Sequence, residues 1–135
     1  MIGPPYLRGM IQRVQSVFLL VSAVLLGLFI VPSLRGISWS EGILEGVHVL
    51  LAGLAAALNL VTIFLYRRRP RQMAWCITTA FVIVLAAVPH VYRAPGEAVG
   101  QWWTYLLPLA FICTLLARTF IKRDDDLVRS MDRLR

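Results

Sequence analysis

The chain has 135 residues, of which 59% are hydrophobic, and it carries a formal net charge of +7. A mean hydropathy of +0.72 excludes an ordinary soluble domain, whose surface needs many more polar side chains. The length predicts a single domain over residues 1–135. The apolar fraction predicts that this domain is embedded in a membrane.

Apolar runs determine the predicted architecture. They are predicted to form spans at residues 14–31, 43–66, 73–92 and 99–117. Each run is long enough to cross a bilayer, which takes about 18 residues. The first run follows a basic segment, as in a signal peptide, but it is long for one and lacks a small-residue cleavage site. We therefore interpret it as a retained span that ends at Pro32. The predicted fold class is all-α, a bundle of four transmembrane helices.

Glycine and proline mark the predicted breaks between the helices. Residues 1–13 are rich in both, which opposes regular structure. Pro95-Gly96 predicts a turn between the third and fourth spans. Pro108 lies inside the fourth run and predicts a kink in the middle of that helix.

The strongest charge cluster lies between the second and third runs. Its basic residues are Arg67, Arg68, Arg69 and Arg71. Because Arg69 precedes Pro70, it is disfavoured in a helix. We therefore expect the chain to reverse here, with the two flanking spans as antiparallel neighbours. Residues 66–71 are termed the arginine turn.

Basic residues are distributed unevenly between the two sides of a four-span protein. Of the 14 lysines and arginines, only Arg35 and Arg93 fall on the side opposite to the termini and the arginine turn. By the positive-inside rule, this bias predicts cytoplasmic termini and a cytoplasmic arginine turn. An arginine near an anionic leaflet gains roughly 1 kcal/mol, so the predicted partner of the turn is the bilayer with its anionic inner leaflet. Nucleic acid is not predicted, because so short a turn has little room for base-stacking aromatics.

Four ionisable residues gather at the opposite, outer edge. Glu41, Glu45 and His48 share a helical face by their spacing. His90 lies near the same end of the third span. These residue types suit a divalent metal or proton handling, whereas the alternative is that all four simply reach water at the interface. A haem between the two histidines is disfavoured because His48 should lie deeper, and no cofactor is predicted.

The second span combines small residues with one buried amide. The small residues form two pairs at four-residue spacing, Ala52 with Ala56 and Gly53 with Ala57. Such spacing predicts close helix packing, unless alanine is merely common in this span. Asn59 is expected to bridge helices, with Thr78 and Thr79 as partners unless they bond within their own helix. Cys76 and Cys113 lack CxxC spacing and indicate small core residues rather than a redox or zinc site.

The tail, residues 118–135, changes from apolar to charged. Leu127, Met131 and Leu134 repeat at i, i+4 and i+7. Asp125 and Arg129 have the spacing of a helical ion pair. The pattern predicts a short amphipathic cytoplasmic helix that lies on the membrane surface or docks on a partner. The alternative is a solvated continuation of the fourth span.

Two segments resemble a known family. They are residues 10–16, MIQRVQS, which lead into the first span, and residues 121–135, IKRDDDLVRSMDRLR, which end the chain. Both resemble the ends of a small bacterial four-span membrane family classed as a domain of unknown function, family 4293. The resemblance implies a bacterial inner-membrane protein with cytoplasmic ends, and no catalytic residue or activity follows from it. It also implies a start at the position of Met10, with residues 1–9 as an extension.

Three functions are compatible with these patterns. The first is a non-enzymatic membrane subunit or scaffold that associates with another membrane protein or a second copy through its small-residue faces and its tail. The second is a small transporter, similar in span count to multidrug exporters, although those depend on an acidic residue deep in the first span and this span has none. The third is a membrane enzyme or metal- or proton-handling protein that uses Glu45, His48 and His90. The lack of a catalytic constellation favours the first.

Overall fold

Four α-helices account for most of the protein. The structure is a computed structural model that describes residues 5–37, 43–93 and 101–134. The elements are α1 (Pro5–Arg35), α2 (Val47–Phe64), α3 (Arg69–Arg93) and α4 (Leu106–Arg133), with 3-10 turns at Ile43–Gly46 and Trp102–Tyr105. The described residues contain no strand, and each helix is long and apolar enough to cross a membrane. The predicted all-α bundle of four membrane-crossing helices is therefore confirmed.

Two prolines, one in α1 and one in α4, do not have the effects predicted for them. Helix α1 begins at Pro5, inside the segment predicted to be irregular, and continues past Pro32 to Arg35. Pro32 has no N–H for the Leu28 carbonyl, and the helix continues for only three residues after it. Pro108 is the third residue of α4 rather than a mid-span kink. At that position its missing N–H would have had no helical partner.

The helices pack as a ring in which α1 and α3 each contact α2 and α4. Side-chain pairs show the direction of neighbouring helices. Along α1, Phe18 stacks on Phe120 of α4, and Ser22, one turn later, meets Thr114 earlier in α4. Helices α1 and α4 are therefore antiparallel. The turn at residues 65–68 joins α2 to α3 and produces the predicted reversal.

Two apolar clusters fill the bundle. The larger consists of Leu26, Phe29, Ala52, Ala55, Val82, Ile83, Ala86, Leu107 and Ala110. The smaller, nearer the arginine turn, consists of Leu19, Cys76, Ala117 and Ile121. Alanines from three of the helices lie among these larger side chains, and small residues let helix backbones approach closely in lipid. Cys76 and Cys113 are buried free thiols, which agrees with their interpretation as core residues.

Helix α4 carries the tail without a break. Its 28 residues extend for about 42 Å at about 1.5 Å per residue, which exceeds the about 30 Å of a hydrocarbon core. The tail is therefore helical, but it is the continuation of the fourth span rather than a separate short helix. Asp125 Oδ2 and Arg129 Nε lie 2.9 Å apart, the ion pair expected from their spacing.

Candidate functional site

Two histidines meet at the end of the bundle opposite to the arginine turn. His48 is the second residue of α2 and is buried, whereas His90 lies in the last turn of α3 and is partly buried. Their ring centroids are 5.5 Å apart. The antiparallel packing of the neighbouring helices α2 and α3 brings the two rings together at this end. This region is termed the histidine end, and the region of the arginine turn is termed the arginine end.

Phe29 of α1 packs against both histidines. Its ring meets them edge to face, with centroid separations of 6.2 Å to His48 and 5.2 Å to His90. His90 Nε2 also lies 3.0 Å from Thr104 Oγ1, and the nitrogen donates or accepts according to the tautomer of the ring. The cluster therefore joins three helices to the 3-10 turn that precedes α4.

The predicted carboxylates of this site lie outside what the structure describes. Glu41 is not among the described residues, nor is the side chain of Glu45, whose backbone forms part of the 3-10 turn before α2. Among the side chains that are described, no group of three His, Cys, Asp or Glu is arranged to hold a metal ion. A metal held by His48 and His90 would thus need a further ligand from outside this part of the chain. An imidazole side chain is both a common metal ligand and a group that can take up or release a proton.

A buried polar layer connects three helices between the two apolar clusters. Ser22 of α1, Asn59 of α2 and Thr114 of α4 are all fully buried. Asn59 donates from Nδ2 to Ser22 Oγ at 2.9 Å. Ser22 in turn donates to the Ala110 carbonyl at 2.9 Å and lies 2.9 Å from Thr114 Oγ1. Asn59 therefore bridges α2 to α1, and Ser22 extends the network to α4.

The threonines predicted as partners of Asn59 bond within their own helix instead. Thr78 donates to the Ala74 carbonyl at 3.1 Å, and Thr79 donates to the Trp75 carbonyl at 2.8 Å. The sequence identifies which face of α2 is buried, but it does not tell whether that face turns toward α1 or α3. At the height of Asn59, the contact is with α1. The Oδ1 atom of Asn59 is buried and has no hydrogen-bond partner among the described residues.

The arginines of the turn have different surroundings. Arg69 Nη2 lies 2.9 Å from Oδ2 of Asp124 in α4, and the two side chains are 22% and 5% exposed. Arg67 donates from Nε to the Tyr66 hydroxyl at 3.2 Å and stacks over the same ring at 5.8 Å. Arg68 and Arg71 are exposed. A mostly buried ion pair therefore fastens the arginine turn to α4.

The small residues of α2 divide between two surroundings. Ala52 is in the larger apolar cluster, and Ala56 packs against it. A Cβ added at Gly53 would lie 4.0 Å from Ile30 of α1, whereas Ala57 is exposed. The first pair thus packs inside the bundle, and the second runs from the α1 contact to the outer surface.

The apolar row of the tail is largely uncovered. Leu127 is 50% exposed and Leu134 is 89% exposed, whereas Met131 is partly buried. Helix α4 therefore presents apolar side chains on a segment whose other residues are mostly charged.

Asp124, Ser22 and Phe29 are contact residues that the sequence reasoning missed. A signal for Asp124 was present, because Ala117, Ile121 and Asp124 continue the buried face of α4 at spacings of four and three residues. Ser22 and Phe29 gave no comparable signal. Serine and phenylalanine are common in apolar spans, and their partners lie on other helices.

A family model described as a domain of unknown function (DUF4293) matches residues 45–134, which are 90 of the 135 residues. The matched part contains α2, α3 and α4, and with them both histidines, the arginine turn and Asp124. No curated protein and no solved structure matches the chain.

Proposed function

The chain belongs to the DUF4293 family, and we propose that it is a non-enzymatic subunit or scaffold of a bacterial inner membrane. The observation that carries the proposal is the unbroken course of α4 from the core to an apolar row that is exposed at Leu127 and at Leu134, the residue directly after the helix. A scaffold needs a well-anchored bundle and a surface that remains accessible to a partner. Helix α4 supplies both in one element.

Cross-helix contacts of α4 support the anchoring role. Thr114 belongs to the buried polar layer, and Asp124 pairs with Arg69 of α3. The helix is thus held at mid-height and at the arginine end, and the residues that follow Asp124 are left for association. The occupant is another membrane protein or a second copy of the chain.

Extraction in a mild detergent tests the scaffold proposal. The wild-type protein is expected to purify as a complex of fixed stoichiometry, and the double variant Leu127→Ser with Leu134→Ser is expected to run as a monomer by light scattering. Ser130→Ala with Asp132→Ala is the matched control, because both residues are exposed on the same segment outside the apolar row. A wild-type protein that is always a solitary monomer would overturn the proposal.

The proposed orientation places the termini and the arginine turn in the cytoplasm. The Arg69 and Asp124 contact supports this, because it brings the two most basic segments of the chain to the same end of the bundle. Basic residues concentrate on the cytoplasmic side of membrane proteins. A reporter that works only in the periplasm, fused after residue 71, should be inactive. High activity of the reporter would show that the orientation is the opposite of the proposed one.

A second candidate function rests on the 5.5 Å approach of His48 and His90. In this alternative the pair binds a divalent metal or handles protons together with Glu41 and Glu45. Metal analysis of the purified protein beside His48→Ala tests the metal form of the idea. Stoichiometric zinc or iron that is lost on substitution would support it, and equal metal content in the two proteins would contradict it.

A further inference from the structure

An open cleft lies at the arginine end, apart from the histidines and the apolar row of the tail. Its volume is about 440 Å³, and it is lined by Tyr66, Arg67, Arg69, Pro70 and Asp125. We propose that this cleft binds a phosphate group, either in a phospholipid headgroup or as free phosphate, through Arg67 and Arg69. Arginine suits this ligand because its planar guanidinium matches the geometry of phosphate oxygens and donates two parallel hydrogen bonds.

Both arginine side chains are restrained by contacts within the protein. Arg69 is fixed by its 2.9 Å contact with Asp124, whose carboxylate is almost fully buried in the face of α4. Arg67 rests on Tyr66, with a 3.2 Å hydrogen bond from Nε to the phenol oxygen. The terminal nitrogens of Arg67 are not used in that bond and are available to an anion. Restrained side chains lose less conformational freedom on binding, which favours affinity.

The charge of the cleft favours an anion although one carboxylate lines it. Asp125 is paired with Arg129 at 2.9 Å, and Asp124 is paired with Arg69. Within the described residues, Arg67 has no carboxylate partner. The exposed Arg68 beside it adds to the positive potential.

Exposed apolar residues close in sequence to the lining residues point to a lipid as the source of the phosphate. Phe64, which ends α2, lies two residues before Tyr66 and is largely exposed, and Leu60 is exposed one turn earlier. Trp75 is exposed on the second turn of α3, and tryptophan is typical of the membrane interface. Acyl chains along this surface would bring a phosphodiester to the height of Arg67.

Native mass spectrometry with added phosphatidylglycerol tests the site. Arg67→Gln is expected to lower the apparent affinity for this lipid by about tenfold, the scale of one strong charge-assisted contact. Arg68→Gln removes the same charge from an exposed neighbour outside the cleft and should change the affinity less than about twofold. Equal effects of the two variants would show attraction by net charge alone and would overturn the proposal.

The acidic residues give a second test of opposite sign. Asp125→Asn removes a carboxylate from the lining and should raise the affinity for phosphatidylglycerol. Asp126→Asn changes the net charge equally but acts at an exposed residue outside the cleft, so it should have little effect. Equal responses of these two variants would also overturn the proposal.

Two further ligands identify the source of the phosphate. Inorganic phosphate that displaces phosphatidylglycerol, with the same dependence on Arg67, would show that the phosphate group alone is sufficient. Lipid binding that resists inorganic phosphate but fails with diacylglycerol would show that the ligand is a phospholipid. Binding of diacylglycerol as tightly as phosphatidylglycerol would rule out phosphate recognition.

Discussion

The two ends of the bundle are closed by different interactions. At the arginine end, Arg69 of α3 and Asp124 of α4 form a mostly buried ion pair at 2.9 Å. At the histidine end, the ring of Phe29 packs edge to face on two imidazoles from neighbouring helices. An ion pair depends on charge, whereas ring packing depends on shape and on the absence of voids. The same four helices are therefore stabilised by distinct forces at opposite ends, and substitutions should reveal each force separately.

Removal of the Phe29 ring should give the largest loss of stability. A buried phenylalanine replaced by alanine costs about 3–5 kcal/mol in well-packed cores, and Phe29 is fully buried. Phe29→Ala should therefore lower the thermal unfolding midpoint in detergent far more than Phe81→Ala, which removes an exposed ring from α3. If the two variants lose the same stability, packing does not hold the histidine end.

Loss of the ion pair should have the second largest effect. Breaking a fully buried pair costs about 3–5 kcal/mol, but Arg69 reaches water, so we expect about 2 kcal/mol for Asp124→Asn. The matched control is Asp126→Asn, an exposed neighbour with the same change of charge. The difference between the variants, measured by unfolding, should persist in high salt, because buried charges are screened little. A difference that vanishes in salt would assign the effect to surface charge.

The polar layer lies between the two ends, and its disruption should have an intermediate effect. Asn59→Ala removes the bond to Ser22, and such a bond within a membrane contributes about 1 kcal/mol. Hydrogen exchange should increase in α1 and α2 around the two sites. Thr78→Ala, which removes a hydroxyl bonded only to its own helix, should leave exchange in α1 unchanged. Equal changes of hydrogen exchange in α1 for the two variants would show that the polar layer does not connect the helices.

Pro108→Ala should have the smallest effect. The residue lies in the first turn of α4, where proline costs little, so stability should change by less than about 0.5 kcal/mol. The measurement is the free energy of unfolding of the wild type and of Pro108→Ala at equilibrium. A gain near the about 3 kcal/mol that separates alanine from proline inside a helix would mean that Pro108 bends α4 after all.

Most of the fold could be predicted because span length and apolar composition are properties of each segment alone. The reversal at the arginine turn was likewise local, since it depends on a short link between two spans. Arg69, however, is the first residue of α3 and not outside the helix as expected from Pro70. The residues at which the helices begin and end were harder to predict. Pro32 and Pro108 are each tolerated within a few residues of a helix end, and the sequence does not show how far from that end they lie.

The candidate site was predictable where one rule of spacing sufficed. The approach of His48 and His90 follows from antiparallel spans and the distance of each residue from the turn. Asn59 bridges two helices as predicted, but its partner is Ser22, and the two candidate threonines took the alternative of bonding within their own helix. The partner depends on the rotation of α2 about its own axis, which only the packing of all four helices determines. Asp124 was missed because an aspartate among three in a charged tail is typical of a solvated face, although this one continues the buried face of α4.

Residues 109–133 of α4 contain neither glycine nor proline. Glycine and proline are the residue types at which helices most often bend. Helix α4 is therefore expected to move as one stiff rod over this segment. Thr114 and Ala110 attach the rod to Ser22 of α1, and Asp124 attaches it to Arg69 of α3. A rod that is attached at two heights resists rotation about its own axis, so a load on the tail would fall first on the ion pair.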